Sequence, residues 1–321
     1  MAIRYRPATD DDIDAIHAVV RAAETFDRMP LATPRDEIVE DFAAPDLDRS
    51  LDTLVAVDEG EIVAYSLVYP LPTATGKQRT FGFGSVHPDH RGGGIGTHLV
   101  EWQTRRGTEI LSATDTGEER VLRTFLWEWQ AEARELYERH GYHLARWFHT
   151  MVRPLYQPIP EAAVPDGLAI VGWSEDWSEE TRLTHNAAFR DHWGSTDNSP
   201  QFWAHRLASS GNRSDLHRLI VDGDTVVGYA LNAHFPDDET VTGRREGWIE
   251  LLGTHPDYRG RGVASALINE SLRLFAAEDL THGALGVDSE SETGAHTLYG
   301  RLGFETLYRS TAYLRRYENS P

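Results

Sequence analysis

The sequence contains no cysteine in its 321 residues. This absence excludes disulfide bonds, thiolate metal sites and a cysteine nucleophile. The 15 histidines are scattered and lack the paired spacing of a metal motif such as His-Glu-x-x-His. We therefore expect that the protein needs no metal.

Long apolar runs are missing as well. No run approaches the ~18 residues that a membrane-spanning helix needs. The segment from Ile3 to Asp14 is charged throughout and does not resemble a secretion signal. These features favour a cytoplasmic protein without a membrane partner.

Positive charge is scarce. The chain has 31 lysines and arginines against 51 aspartates and glutamates, which gives a formal net charge of -20. This surplus repels nucleic-acid phosphates, so it argues against a nucleic-acid partner and favours a cationic small molecule as substrate. The acidity is equally explained if it only keeps the protein soluble.

The most informative stretch runs from Trp248 to Ile268 and reads W-I-E-L-L-G-T-H-P-D-Y-R-G-R-G-V-A-S-A-L-I. An apolar run that predicts a buried strand ends at His255-Pro256-Asp257, and apolar residues then recur at helical spacing. The glycine-rich turn between them aims free backbone N–H groups and the positive end of a helix dipole at one point. This predicts a phosphate cradle, although an ordinary helix N-terminus would also explain the turn. It is neither a Walker loop nor the dinucleotide fingerprint.

The same pattern occurs a second time, from Phe81 to Val100. The arginines that open the two turns, Arg91 and Arg259, lie 168 residues apart (259 minus 91), about half the chain. So long a repeat indicates two domains of the same plan.

We place the domain boundary in the stretch that holds Pro158, Pro160 and Pro165, because proline at this density suits a stiff linker. The expected domains are residues 1–154 and residues 166–321, with the linker at 155–165. In each, the patterns predict a β-α-α-β-β-β-α-β-α-β order, which is an α+β fold.

Both turns resemble the Arg/Gln-x-x-Gly-x-Gly/Ala turn of the GCN5-related N-acetyltransferases (GNATs). The segments Ala295–Phe304 and Ala133–Tyr142 resemble the A-x-x-L-Y-x-x-x-G-F motif of that family. The resemblance implies two tandem GNAT-like domains, each a mixed twisted sheet with helices on both faces, and acetyl-CoA as cosubstrate. After the fifth strand many relatives carry asparagine, where this chain has Ser291.

The resemblance assigns cofactor contacts to the splayed strand end and the turn of each half. In the second half these residues are Leu252, Gly253, Thr254, Arg259, Gly260, Arg261, Gly262, Val263 and Ala264. In the first half they are Gly84, Ser85, Val86, Arg91, Gly92, Gly93, Gly94, Ile95 and Gly96.

Acetyl transfer to an amine needs a base, because an alkylammonium with a pKa near ~10 is protonated at neutral pH. Glu250 is the best candidate, since it lies inside an apolar strand where burial would raise its pKa. Strand periodicity puts Glu246, Trp248, Glu250 and Leu252 on one face. Glu246 could therefore carry the role instead of Glu250 or share it through water, and it would contact substrate. Alternatively, Glu250 lies at the strand surface without a chemical role.

Tyr299 is the proposed acid, because the resemblance places it beside the sulfur of the leaving thiolate. The alternative is a core tyrosine of the last helix. The segment with Asp191, His192 and Trp193 resembles the acceptor loop of two-domain actinobacterial members, where a carboxylate and ring faces suit a cation. It could equally be a helix end that packs on the core.

The halves differ at the position of the base. Glu250 stands nine residues before Arg259 (259 minus 250), and the matching residue before Arg91 is Gly82. This asymmetry, which resembles tandem acetyltransferases of the mycothiol synthase type, predicts a catalytically degenerate first domain and a catalytic second domain.

The leading interpretation is therefore an acetyl-CoA-dependent N-acetyltransferase that transfers an acetyl group directly to the primary amine of a small, cationic molecule. The alternatives are a non-catalytic acyl-CoA binding or sensing protein, and an enzyme that makes mycothiol. We expect a monomer, in which the two domains form an internal pseudo-dimer, or a homodimer.

Overall fold

The computed structural model describes residues 3–71, 79–113, 119–195, 197–290 and 295–317. The strands are β1 Arg4–Arg6, β2 Thr53–Asp58, β3 Glu61–Leu71, β4 Arg79–Val86, β5 Val121–Trp127, β6 His143–Pro154, β7 Ala169–Gly172, β8 Arg218–Asp222, β9 Thr225–His234, β10 Glu246–Thr254, β11 His282–Asp288 and β12 Glu305–Arg316. The helices are α1 Ile13–Asp27, α2 Arg35–Phe42, α3 Arg49–Asp52, α4 Ile95–Ser112, α5 Ala131–Arg139, α6 Ser178–Phe189, α7 Pro200–Leu207, α8 Glu239–Thr242, α9 Val263–Ala277 and α10 Ala295–Arg301.

The chain forms two compact units. Unit 1 comprises Met1–Arg146 and Ser310–Pro321, and unit 2 comprises Trp147–Arg309. In unit 1 the strand order is β1-β2-β3-β4-β5-β12, and in unit 2 it is β7-β8-β9-β10-β11-β6. In each unit one parallel pair, β4 with β5 or β10 with β11, follows an antiparallel meander, and an antiparallel strand closes the sheet.

The closing strands are exchanged between the sequence halves. Residues 148–154 of β6, from the first half, pair with β11 of unit 2. Residues 310–316 of β12, from the end of the chain, pair with β5 of unit 1. The units therefore differ from the halves 1–154 and 166–321 expected from the sequence. Hydrophobic alternation identifies a strand but does not specify which of two equivalent edges it joins.

Helices cover both faces of the sheet in unit 1, because the strands alternate their apolar side chains. Val55 and Val57 of β2 pack in one cluster with α1 and α2, while Leu54 and Ala56 pack in another with α4. The expected α+β fold with a mixed sheet and helices on both faces is thus confirmed.

Unit 2 repeats this arrangement. Ile249 and Leu285 pack with α9 on one face, and Tyr229 and Leu231 pack with Trp203 of α7 on the other. The helix α7 begins as its sequence predicts: Ser199 Oγ accepts the Phe202 N–H at 3.1 Å and Pro200 occupies the first turn.

The proline-rich segment 155–165 contains no helix or strand. It belongs to unit 2, where Leu155 is buried in the α9 cluster and Ile159 packs against it. The Arg153 guanidinium donates to the Pro158 carbonyl at 2.7 Å. Side-chain contacts therefore hold this segment on the surface of unit 2, which a stiff spacer does not require.

Candidate active site

The strand β10 leaves its parallel neighbour halfway along its length. Its ladder with β11 runs from Glu246, opposite His282, to Ile249, opposite Leu285, and stops there. Its antiparallel ladder with β9 continues to Thr254, opposite Gly228. In the described part of unit 2, residues 250–254 therefore present an edge unpaired with β11, whose free N–H and C=O groups suit an extended, amide-containing ligand. The predicted contacts Leu252, Gly253 and Thr254 lie on this edge.

A β-bulge lies where the two strands part. Ile249 pairs with Asn232 and Leu251 pairs with Leu231, so Glu250 is the extra residue. A bulge re-aims side chains and increases local twist. As a result Leu251 packs with the α7 cluster, whereas Leu252 packs with Ile249 on the α9 face.

The expectation that Leu252 shares a face with Glu246, Trp248 and Glu250 is therefore wrong. Strict alternation holds only up to Ile249, and the additional residue at the bulge shifts the rest of the strand by one position.

Glu250 lies on an accessible part of this strand, yet its carboxyl is crowded by protein. Desolvation raises its pKa above the ordinary value, and the nearby charge of Arg206 opposes this effect without cancelling it. A carboxylate that solvent reaches and that has a raised pKa is suited to take a proton from an ammonium group.

Glu246 has a different environment. It is only 6% exposed, and its Oε1 pairs with Arg244 Nε at 2.5 Å. Arg244 also donates to the Tyr308 hydroxyl at 3.3 Å. Because Glu246 already has a cationic partner, it is less suited than Glu250 to act as a base or to contact substrate.

The turn after β10 has the geometry of an anion cradle. Gly260 and Gly262 have φ values of +75° and +94°, a region that disfavours side chains, and Gly262 is the N-cap of α9. Among the described residues, Ala266 is the first amide of the helix that donates to a carbonyl, that of Gly262. The amides of 260–265 therefore point out of the helix end, with Val263 buried beneath them.

The two arginines of this turn are accessible. Arg259 Nη2 donates to the Ala188 carbonyl at 2.7 Å, and Arg261 lies over the Tyr258 ring at 4.9 Å. Ala264 occupies the first turn of α9, where a small side chain leaves space for a ligand. The cradle thus fits a pyrophosphate by its amides and its positive charge.

Tyr299 is buried in the α9 cluster, which also contains Ile249 and Val263. Burial raises its pKa to about 12, so the phenol remains protonated at neutral pH and can donate a proton. Tyr299 thus lies in the cluster that covers the α9 face, and Glu250 follows directly on the last residue of β10 that pairs with β11.

The predicted acceptor loop follows α6. Asp191 is exposed, His192 lies 5.2 Å from the Phe189 ring, and Trp193 lies 6.2 Å from the Phe148 ring. The bond from Arg259 to the Ala188 carbonyl joins the end of α6 to the cradle. The loop is therefore near the cradle, and its rings make packing contacts within unit 2. Ser291 lies outside the described residues.

Unit 1 has the same glycine turn as unit 2 but differs in the strand that precedes it, β4. Gly92 and Gly94 have φ values of +79° and +88°, as in the second cradle. The pairing of β3 with β4 has no bulge at Gly82, which lies opposite Val68. Gly84, Ser85 and Val86 follow on the strand, and Gly93, Ile95 and Gly96 complete the turn and the first turn of α4.

Gln103 of α4 occupies the space that a catalytic side chain would need. A Cβ atom on Gly82 would lie 3.2 Å from Gln103. Gln103 Nε2 donates to the Phe83 carbonyl, and its Oε1 accepts from the Tyr137 hydroxyl, both at 2.8 Å. The tyrosine that corresponds to Tyr299 is therefore hydrogen-bonded inside the core.

The cradle arginine of unit 1 is also paired. Arg91 Nη1 and Nη2 donate to the two Asp27 carboxylate oxygens at 2.6 and 2.9 Å, and Arg91 lies 5.1 Å from the Phe26 ring centre. A bidentate pair of this kind holds the guanidinium firmly. Arg259 makes no such pair among the described residues of unit 2.

Three features of these sites were not predicted from the sequence: Gln103, Asp27 as the partner of Arg91, and Arg206. The glycines at 82 and 84 were a usable signal for Gln103, because closely spaced glycines in a strand indicate that another group approaches the backbone. Arg206 follows Trp203 by one helical turn, which places it on an inward face.

No group of three or more His, Cys, Asp or Glu side chains is arranged to hold a metal ion in the part of the chain that the structure describes. Within the same ranges, no helix has both the length and the apolar character to cross a bilayer.

Family models match both halves of the chain. The model described as acetyltransferase (GNAT) domain matches residues 49–144, and that described as acetyltransferase (GNAT) family matches residues 173–304. Each match includes the strand before the cradle (β4 or β10), the cradle itself and the helix that carries Tyr137 or Tyr299.

The chain is also similar to proteins named mycothiol acetyltransferase. That of Salinispora arenicola is 31% identical over 244 residues, which cover 72% of this chain and 71% of the relative. That of Saccharomonospora viridis is 27% identical over 311 residues, 94% of this chain and 95% of the relative.

Solved structures share the fold over the whole chain. The GCN5-related N-acetyltransferase from Sphaerobacter thermophilus superimposes with a TM-score of 0.75 and 26% identity, covering 99% of this chain and 97% of that one. A tandem GNAT protein from the clavulanic acid biosynthesis pathway covers 100% of both chains with a TM-score of 0.71, and at 15% identity it supports the fold alone. The chain belongs to the GNAT acetyltransferase family and, with two GNAT domains in tandem, is an acetyl-CoA-dependent N-acetyltransferase.

Proposed function

We propose that unit 2 transfers the acetyl group of acetyl-CoA directly to the primary amine of a small molecule, with Glu250 as base and Tyr299 as acid. The observation that carries this proposal is the position of Glu250. Its raised pKa and its place in the bulge put a proton acceptor at the start of the unpaired strand edge.

The chemistry follows from the groups around this edge. Glu250 takes a proton from the ammonium, and the neutral amine attacks the thioester carbonyl to form a C–N bond. An N–H group of residues 252–254 stabilises the tetrahedral oxyanion. As the C–S bond breaks, the Tyr299 hydroxyl gives its proton to the thiolate and the acylated nitrogen releases its second proton to solvent. Exchange with solvent then deprotonates Glu250 and reprotonates Tyr299.

Binding of the donor is assigned to the cradle. The amides of residues 260–264 and the charges of Arg259 and Arg261 suit the pyrophosphate, and the unpaired edge at Leu252–Thr254 suits the amide-containing arm. Asp191, His192 and Trp193 are proposed to border the acceptor, and Glu246 supports the strand through Arg244.

We propose that unit 1 does not turn over. It has glycine in place of the base, its Tyr137 hydroxyl is bonded to Gln103, and its Arg91 is paired with Asp27. Its turn retains amides that could hold acetyl-CoA in a structural role.

CoA release with a panel of amines tests the function. Because the protein has no cysteine, a thiol reagent reports released CoA without background. We expect turnover with at least one amine and a fall of roughly 10²–10⁴-fold in kcat for Glu250→Gln. Tight acetyl-CoA binding in calorimetry without release for any amine would instead support the sensing alternative.

A second candidate acceptor comes from the relatives named mycothiol acetyltransferase. The cysteinyl glucosaminyl-inositol acceptor tests it, with the acetylated product detected by mass spectrometry because this acceptor carries its own thiol.

We further propose that the enzyme is cytoplasmic. We also propose that it has no nucleic-acid partner, because its net charge of -20 repels phosphates. Sedimentation would distinguish a monomer from a homodimer.

A further inference from the structure

Arg206 lies on the inner face of α7, in its last turn. Trp203, three residues earlier, is only 2% exposed, and Leu207 packs on the cluster that contains Trp203 and Leu251. Residues at this spacing share a helix face. Arg206 therefore projects toward the side of the sheet on which Leu251 follows the bulge.

Within the ranges that the structure describes, the Arg206 guanidinium has no hydrogen bond or ion pair. Its Nε is shielded from solvent without a partner, and its one ring contact is with Phe202, at 5.7 Å. Other arginines of unit 2 are paired: Arg244 with Glu246, and Arg213 with Asp215 and Glu278. Arg206 is half-buried, and its shielded Nε–H group without an acceptor is unfavourable unless a ligand supplies one.

Two further donors of the same unit lack partners. The indole Nε1 atoms of Trp203 and Trp248 are buried without an acceptor in the described structure. Trp248 precedes Glu250 by two residues on β10, before the bulge. The unsatisfied groups around this face are therefore N–H donors, and a carboxylate or phosphate, which only accepts, complements them.

A chain of contacts connects α7 to the splayed strand. The Trp203 ring lies 5.5 Å from the His185 ring, and His185 Nδ1 lies 2.6 Å from the Tyr229 hydroxyl. The Tyr229 ring packs against Gly253 so closely that a Cβ there would lie 2.3 Å from it. The inner face of α7 is thus part of the wall above the unpaired edge.

The charge of Arg206 acts on the groups of this wall. It lowers the pKa values of Glu250, His185 and Tyr229, although desolvation is the larger influence on each. No ion pair joins Glu250 to Arg206 in the part of the chain that the structure describes, so Glu250 is not a direct counter-ion of Arg206. The guanidinium is close enough to influence the base and remains available to an anion.

We propose that Arg206 binds an anionic group, a carboxylate or a phosphate ester, on the same acceptor molecule whose amine faces Glu250. This inference rests on the proposed function and narrows its substrate class to amines that carry an acid. The net charge of -20 attracts the ammonium end and Arg206 holds the other. Such an acceptor differs from cysteinyl glucosaminyl-inositol, which offers an amine, a thiol and hydroxyls.

Matched pairs of amines test the proposal on the full chain. The probes are L-alanine with L-alaninamide, β-alanine with β-alaninamide, and O-phosphoethanolamine with ethanolamine, each followed by CoA release. In at least one pair we expect the acid to be used with a kcat/KM at least tenfold above that of its uncharged counterpart. The first two pairs report a carboxylate, and the third reports a phosphate ester.

Arg206→Met should reduce that acid-to-amide ratio at least tenfold, mainly through KM for the acid, and Arg206→Lys should retain part of it. Arg213→Met, which removes an arginine paired at the surface, should leave the ratio as in the native enzyme. If Arg206→Met lowers both members of a pair by the same factor, Arg206 has only a packing role and the proposal fails.

Preference for the uncharged amines would overturn the anion site while acetyl transfer stands. No CoA release with any amine, including uncharged ones, would overturn the proposed function and this inference with it. The two failures are therefore distinguishable.

Discussion

The chemical character of Glu250 depends on one extra residue in a strand. Gly82 occupies the same place in the first repeat, but there β3 and β4 pair without a break. In unit 2 Glu250 is the extra residue of the bulge, Leu251 packs with the α7 cluster, and Ile249 stays buried under α9. The repeat that has a glutamate at this position is therefore also the repeat that has a β-bulge there.

The pH dependence of the rate should report this carboxylate. Desolvation raises its pKa. The deprotonated fraction, which is the competent base, therefore continues to increase to a higher pH than for an ordinary glutamate. We expect kcat/KM of the native enzyme to rise with pH along this limb, and Glu250→Gln to lose the limb together with roughly 10²–10⁴-fold of its rate. An unchanged limb in the Gln variant would show that another group is the base.

The two tyrosines provide a matched comparison. Tyr299→Phe should lower kcat by roughly tenfold or more, because the phenol whose pKa is about 12 no longer protonates the thiolate. Tyr137→Phe should leave kcat unchanged and lower thermal stability by about 1 kcal/mol, since it removes the buried bond to Gln103. Steady-state kinetics and thermal unfolding of both variants check this. Equal loss of kcat in the two would contradict the assignment of catalysis to unit 2.

The cradle between β10 and α9 depends on the left-handed conformation of its glycines. Gly262→Ala at φ +94° should strain the turn by ~1–2 kcal/mol, misalign its amides and raise KM for acetyl-CoA about tenfold. Gly243→Ala, at φ +68° after α8, introduces comparable strain at the end of β10 opposite the cradle and should leave this KM unchanged. The cradle would be refuted as the donor site if both variants had the same KM as the native enzyme.

The helix α2 carries a group that makes unit 1 sensitive to pH. Burial raises the pKa of Asp41 to about 6, although the Tyr69 hydroxyl donates to its carboxylate. The folded state therefore binds a proton more tightly than the unfolded state, whose pKa is near ~4. The contribution of this proton to the free energy of unfolding is fully present below the unfolded-state pKa and is lost as the pH rises through about 6.

Asp41→Asn should remove this loss, because an amide stays neutral and still accepts from Tyr69. At pH 7.5 we expect the variant to be more stable than the native protein by on the order of 2 kcal/mol, and at pH 4 nearly equal to it. Thermal unfolding at both pH values measures this difference. A variant no more stable at pH 7.5 would show that burial does not penalise the Asp41 charge.

The exchanged closing strands determine which unit is destabilised when the end of the chain is removed. Residues 310–316 pair with β5 in unit 1, although they lie at the end of the second repeat. A chain that ends at Arg309 should therefore lose protection of the β5 amides in hydrogen exchange, while β8 to β10 of unit 2 stay protected. A chain that ends at Tyr317 is the control and should match the full chain. Equal protection of β5 in both chains would contradict the exchange.

The sequence alone determined the features that depend on residues close together in the chain. The cradle at Arg259–Ala264, its copy at Arg91–Gly96, the apolar strand with Glu250 and the helix with Tyr299 are each encoded within about twenty consecutive residues. Backbone geometry there follows from glycine, proline and apolar spacing. The α+β class and the family followed from the duplication of these local patterns.

The tertiary structure decided what depends on partners distant in the chain. The bulge at Glu250 is a property of its register with β9, the exchange of β6 and β12 is a choice between equivalent edges, and the pairing of Arg91 with Asp27 joins residues of two elements. Local propensity does not encode such partners, because the energy of each arises only when the sheet and its helices pack. For the same reason the unpaired guanidinium of Arg206 becomes visible only in the folded unit.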